Sequence, residues 1–154
     1  MLALIQRVSQ ARVEVDGLTV GAIGPGLLAL VGIEPGDGDA QIRRMAERLL
    51  GYRVFADAQG RMNRSLADCG GGLLLVSQFT LAADTRSGMR ASFTPAAPPE
   101  IAEPGFNRLV GICRNLHAGR VESGRFPPPA DAVADRWRPV RRRSVQPRRA
   151  RRRC

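Results

Sequence analysis

Apolar residues recur along this chain in short blocks, and Gly- or Pro-containing pairs punctuate them. Leu2, Leu4 and Val8 alternate imperfectly with Ala3, Ile5 and Arg7, which predicts a first strand partly covered on both faces. Val13 and Val15 precede Asp16-Gly17, and Leu18 and Val20 follow. Asp-Gly between alternating apolar residues predicts a hairpin, because both turn positions take positive φ. Gly24-Pro25-Gly26 marks another turn, and residues 27–33 read as an apolar strand closed by Glu34-Pro35-Gly36-Asp37-Gly38. Asp39 is the expected N-cap of a helix running to about Leu50. Ile42, Met45, Ala46, Leu49 and Leu50 form its apolar side, Arg43, Arg44, Glu47 and Arg48 face away, and Gly51 follows its end. A short strand is expected at 52–55, a turn at 57–60 and irregular chain at 62–68.

The run Leu73-Leu74-Leu75-Val76 enters through Gly70-Gly71-Gly72. Periodicity alone leaves strand and buried helical turn open; its length and the flanking glycines favour a strand buried on both faces. Polarity then changes abruptly at Ser77, Gln78 and Thr80. On a continuing strand, Gln78 and Thr80 would share one face and Ser77 and Phe79 the other. A buried amide or hydroxyl without a partner costs about 1–3 kcal/mol. Two readings stay open: the cluster caps backbone at a strand end, or a ligand supplies its partners. A second helix is expected over about 101–117, with Phe106, Leu109, Val110 and Cys113 as its stripe. Pro127-Pro128-Pro129 favours extended chain, and beyond it the apolar periodicity fails.

Length and composition sharpen this picture. A chain of 154 residues with 44% hydrophobic content suits one globular domain. No apolar run approaches the roughly 20 residues needed to span a bilayer, and Arg7 interrupts any signal-peptide pattern. A cytoplasmic location without membrane association is expected. Cys69, Cys113 and Cys154 lack metal-ligand spacing and read as free thiols. The net charge of +10 is unevenly placed. Up to Asp135, 14 Arg balance 14 Asp and Glu; the ten arginines from Arg136 to Arg153 carry the excess. That division predicts a body at 1–126 and a Pro/Arg-rich, disordered tail at 127–154. Such a tail would bind polyanions weakly, with strong salt dependence.

SQFTLAAD at 77–84 closely resembles the signature of bacterial D-aminoacyl-tRNA deacylases. LALIQRVSQARVEVDG, GPGLLALVGI, LLGYRVFADAQGRMN and TRSGMRASF extend the resemblance across roughly residues 1–126. It implies an α/β fold, mostly antiparallel sheets in a barrel-like arrangement with two main helices. It also implies a homodimer whose site lies at the subunit interface, holds the 3′ end of an aminoacyl-tRNA and hydrolyses its ester in chiral proofreading. Mischarged glycyl-tRNA-Ala is a further candidate substrate. No cofactor or metal is implied.

By that resemblance Thr80 and Gln78 are the catalytic candidates, and Ser77, Phe79, Met89 and Phe93 contact substrate, with Arg90 beside them. Arg7 would support a Gly-Pro segment. Two mechanisms stay open. Thr80 is the nucleophile, or the terminal 2′-OH of the RNA assists while Gln78 and the Phe79 and Thr80 N–H groups hold the substrate. The second asks less of this chain, because a hydroxyl is a weak nucleophile without a base. His117 is the only histidine, expected near a helix end as a solvated or capping residue. The family ends on an Asn-x-Gly-Pro motif whose cis Gly-Pro pair excludes L-aminoacyl groups, and no Gly-Pro pair follows Phe126. Arg138-Pro139 is the nearest substitute, and Arg cannot replace Gly where backbone approaches a ligand. The Arg/Pro/Ala tail resembles GC-rich DNA read out of frame, so a frameshift near Phe126 is expected, with a true Arg-rich RNA-binding extension as the rival. Impaired or absent deacylase activity follows for this polypeptide.

Overall fold

A computed structural model describes residues 1–84 and 91–126. Its centre is a four-stranded sheet in the order β1 (Leu2–Val8), β4 (Gly26–Gly32), β7 (Gly72–Ser77), β8 (Val121–Ser123). β1 runs antiparallel to β4, whereas β4–β7 and β7–β8 are parallel pairs. Parallel neighbours need crossovers, and the two helices expected from the sequence supply them. These are α1 (Asp39–Gly51) between β4 and β7, and α3 (Pro99–Leu116) between β7 and β8. β2 (Ala11–Val15) and β3 (Leu18–Ile23) form a separate hairpin. Asp16 and Gly17 take φ of 54° and 79° at its turn, the positive pair that Asp-Gly predicts.

Period-two alternation divides the sheet's residues between two cores. Leu27, Ala29, Val31, Leu73 and Leu75 pack with Ile42, Ala46 and Leu49 of α1 and with Phe106, Leu109 and Cys113 of α3. Leu28 and Leu74 face the other way, onto Ala11 and Ile23 of the hairpin. β4 and β7 are thus covered on both faces, which is why they read as unbroken apolar runs.

Several expectations need correction. Three of the five strand pairs are antiparallel, so the expected majority holds narrowly, but the sheets do not close into a barrel among the described residues. The N-cap of α1 is Gly38, not Asp39, and Gly51 is its last helical residue. Asp39 lies in the first turn, where a carboxylate suits the helix dipole, and pairs with Arg108 of α3 at 2.7 Å. Residues 62–68 are ordered: β5 (Phe55–Ala56) pairs with β6 (Met62–Arg64), and α2 (Leu66–Cys69) follows. A Ser65–Asp68 capping box starts that short helix, and the polar composition had concealed it. The helix α3 begins at Pro99, where a missing N–H costs nothing, and it carries Pro104 in its second turn at the cost of one helical bond, the one to the Glu100 carbonyl. The expected tail, with Arg138-Pro139, lies outside the described residues.

Cys113 is fully buried, and burial pushes its thiol up from 9.0 to about 11. An unfolded thiol ionises first, so this group's contribution is complete below pH 9 and is lost as pH rises toward 11. About two pKa units make that loss roughly 3 kcal/mol. Urea unfolding at pH 8 and pH 10.5 should show it, and Cys113→Ala should remove that part of the alkaline slope. An identical slope in the variant counts against the assignment.

Candidate active site

β7 delivers the polar cluster but does not run through it. The parallel ladder ends where Val31 meets Ser77. The Gln78 N–H donates to the Val31 carbonyl at 2.7 Å, and residues Phe79–Ala82 then coil into a single 3₁₀ turn. The expected strand alternation at 77–80 is therefore replaced by a tight corner. Gln78 and Thr80 still meet: the Gln78 amide Nε2 donates to Thr80 Oγ1 at 2.5 Å. All four of Ser77, Gln78, Phe79 and Thr80 are half-buried.

The corner leaves backbone donors unspent. The Leu81 N–H reaches the Gln78 carbonyl at 3.2 Å and the Ala83 N–H the Thr80 carbonyl at 3.2 Å. The N–H groups of Phe79 and Thr80 precede the first such bond, and neither has a partner among the described residues. Donors at the start of a helical turn have no intrahelical acceptor and point out of its end. Two adjacent N–H groups and a side-chain amide on one corner suit a carbonyl oxygen that gains charge.

Sequence reasoning missed Gly32. A Cβ there would lie 3.2 Å from the Gln78 carbonyl oxygen and 3.2 Å from Leu81 Cβ. Gly32 lets the corner fold tightly across the end of β4. The available signal was an isolated Gly closing an apolar strand, which often marks a close backbone approach.

Beyond the corner, residues 84 and 92 are tied to each other. Asp84 and Ser92 exchange backbone hydrogen bonds of 2.7 and 2.9 Å, and the Ala97 N–H donates to the Ile33 carbonyl at 2.9 Å. These bonds bring Phe93 to Phe79 edge-to-face, with ring centroids 5.4 Å apart and planes at 66°. Phe93 remains 44% exposed, so one aromatic wall of the corner is open to solvent. Among the described residues no three His, Cys, Asp or Glu side chains gather where they could hold a metal ion, and no helix is long and apolar enough to cross a membrane.

Over residues 4–133 the chain matches the family model described as D-Tyr-tRNA(Tyr) deacylase. The chain belongs to that family. A D-aminoacyl-tRNA deacylase of Stenotrophomonas maltophilia (strain K279a) is 79% identical over 126 residues, which are 82% of this chain and 86% of the relative. The D-aminoacyl-tRNA deacylase of Xanthomonas campestris pv. campestris (strain 8004) is 73% identical over the same shares. A solved structure described as c-Myc DNA Unwinding Element Binding Protein superposes with a TM-score of 0.76 at 34% identity, covering 80% of this chain and 84% of that one. Another, of a probable eukaryotic D-amino acid tRNA deacylase, has a TM-score of 0.69 at 16% identity, over 80% and 87% of the two chains, and shows the fold alone.

In this member of the D-Tyr-tRNA(Tyr) deacylase family, Ser77, Gln78, Phe79, Thr80 and Phe93 come together at one corner. Met89 and Arg90 lie outside the described residues. Arg7 is not brought to this corner within the chain. It is exposed on β1 opposite Leu27, whose other neighbour Leu73 lies at the start of β7 rather than its end. His117 is the C-cap of α3, buried rather than solvated, and its Nε2 donates to the Gly71 carbonyl at 2.7 Å. Gly71 precedes β7, so this histidine is remote from Thr80 and fastens α3 to the sheet.

Proposed function

We propose that this chain's body binds the 3′-aminoacyl-adenosine of a D-aminoacyl-tRNA at the Gln78–Thr80 corner and hydrolyses its ester. The observation that carries the reading is the pair of N–H groups on Phe79 and Thr80, without partners among the described residues, beside the Gln78 amide. Removing one oxyanion donor from a hydrolase costs about 10²–10³-fold in rate, so such a pair is the largest chemical resource this corner offers. The aminoacyl ester is already reactive, and orienting it while stabilising its carbonyl oxygen is the main task.

Thr80 is poorly furnished as a nucleophile. Its oxygen accepts from Gln78, and the chain's only histidine is committed to the Gly71 carbonyl. We therefore assign attack to water assisted by the RNA's terminal 2′-OH. Thr80→Ala, made in this body carrying the Stenotrophomonas relative's C-terminal segment in place of residues 127–154, should lower kcat less than about a hundredfold, because the backbone donors persist. A loss beyond about a thousandfold would reinstate a nucleophilic threonine, since removing such a group abolishes most catalysis.

Gly32→Ala tests the corner's geometry. Its Cβ must push Gln78 or Leu81 by a few tenths of an ångström. We expect about a tenfold loss in kcat with little change in KM, because sub-ångström misplacement acts on the reacting geometry. Measured in the same grafted chain, unchanged kcat would separate Gly32 from the site.

Self-association belongs to the same reading. Leu2 and Leu4 are 41% and 57% exposed on one face of β1, and Leu4 lies beside Leu30 of β4. A second copy covering this face would bury that stripe. We further propose that residues 127–154 do not complete the site as a relative's C-terminus would, so that this polypeptide turns over slowly. Cytoplasmic location, which fits a tRNA substrate, and acceptance of glycyl-tRNA, drawn from the resemblance, are parts of this proposal.

A further inference from the structure

The positive charge of the body is concentrated in one stretch of its sequence. Six arginines lie between Arg43 and Arg64 against two carboxylates, Glu47 and Asp57. The rest of residues 1–126 holds eight arginines against ten Asp and Glu. Topology gathers four of the six around the β5–β6 ribbon and the end of α1. The α1 end carries Arg48, whose carbonyl accepts from the Tyr52 N–H, and Arg53 follows directly. Arg64 pairs across the ribbon with Phe55, and its Nη2 donates to the Asp68 carbonyl at 2.7 Å. Hydrogen bonds from Ser65, and after them the charges of Arg64 and Arg53, hold the Asp68 carboxyl below its usual range.

The nearby carboxylates are already engaged. Asp68 accepts from the Ser65 N–H and hydroxyl, and Asp57 from the Gln59 and Arg61 N–H groups and the Asn63 amide. Glu47 sits 3.6 Å from Arg44. Arg48, Arg53 and Arg61 are exposed and make no ion pair or side-chain hydrogen bond among the described residues. Tyr52 stands among them, 53% exposed.

We propose that Arg48, Tyr52, Arg53, Arg61 and Arg64 form a contact surface for the phosphate backbone of the tRNA's paired acceptor arm. This rests on the functional reading above, which supplies the tRNA. The guanidinium fork suits phosphate oxygens, and a tyrosine hydroxyl commonly donates to them. Position also fits. The helix α1 starts beyond the C-terminal end of β4, beside Ser77, and runs back toward the entry of β7. Its 13 residues span about 20 Å. A surface that far from the ester meets not the reacting adenosine but the RNA behind it.

The test uses the full 154-residue chain and an uncharged tRNA transcript, titrated between 50 and 200 mM salt. The triple variant Arg48→Gln, Arg53→Gln, Arg61→Gln should bind at least about tenfold more weakly at 50 mM. The slope of log K against log salt should become shallower by between about two and three, since each phosphate left without its arginine removes about 0.9. A control triple, Arg12→Gln, Arg114→Gln, Arg120→Gln, removes equal charge elsewhere and leaves the Arg-rich tail intact. It should change the slope by less than about one. Equal effects of the two triples, or none from the first, overturn the proposal. Hydrolysis of a D-aminoacyl-adenosine, which lacks the acceptor arm, tests the other reading separately. If the Stenotrophomonas relative fails to cleave it, the Gln78–Thr80 reading falls, whereas the slope difference stands or falls by itself.

Discussion

Gly26→Ala is expected to cost this domain about 4 kcal/mol or more, a very large effect for one added methyl group. Gly26 and Gly72 are direct neighbours on the parallel strands β4 and β7. A Cβ on Gly26 would lie 1.9 Å from the Gly72 carbonyl oxygen and 2.7 Å from its carbonyl carbon and its nitrogen. All three are backbone atoms, so no rotamer change can relieve the overlap. The strands must part at their entry, where the Gly72 N–H donates to the Pro25 carbonyl at 2.9 Å. Immediately beyond lie Leu27 and Leu73, both fully buried. Separation would open the core at that layer. Losses above 4 kcal/mol are exceptional for one substitution and are a large share of a typical domain's stability. Urea unfolding followed by circular dichroism measures it. A variant within about 1 kcal/mol of the parent would mean that the β4–β7 register is misassigned.

Grafting the Stenotrophomonas relative's C-terminal segment onto this body, in place of residues 127–154, should raise D-aminoacyl-tRNA turnover by about a hundredfold or more. The body shares 79% identity with that relative over 126 residues, so the corner and its supports need no redesign. Phe126, the last described residue, packs against the main core and gives the graft a fixed starting point. On the reading proposed above, the graft would supply a rigid wall for the pocket. A pocket relying on one methyl-sized difference discriminates only about 10–200-fold, so strict rejection of L-aminoacyl groups needs backbone held where an L side chain would go. The same wall would hold the ester in its reacting pose, and loss of such a pose costs about a hundredfold. Parallel assays on D- and L-aminoacyl-tRNA decide the matter. If the present chain already turns over as fast as the relative, its own C-terminal residues suffice and the reasoning about the missing Gly-Pro pair fails.

Much of the architecture was readable from local chemistry. Asp16-Gly17 announced its hairpin, because few other pairs accept positive φ twice. The helices α1 and α3 were visible as 3.6-residue stripes ending on Leu50 and Cys113. β4 and β7 were visible as unbroken apolar runs. The misses occurred where distant residues arbitrate. A polar stretch at 62–68 became a ribbon and a capped turn because Phe55 supplied a partner strand and Asp68 reached back to Ser65. At 77–80 a strand gave way to a 3₁₀ corner because the β4–β7 ladder ends at Val31 and Gly32 leaves room for the chain to turn.

The linear order of residues was enough to specify the hairpin, the two amphipathic helices, the buried strands and the unusual polar run at Ser77, Gln78 and Thr80. Each depends on interactions within a few residues of chain. Folding alone decided that Phe93 would lie against Phe79, that His117 would be spent on the Gly71 carbonyl, and that the Phe79 and Thr80 N–H groups would have no acceptor among the described residues. Those outcomes depend on which strand lies beside which and where their ladder stops. No local propensity encodes that, because the partners are brought together only when the apolar faces of the sheet are buried.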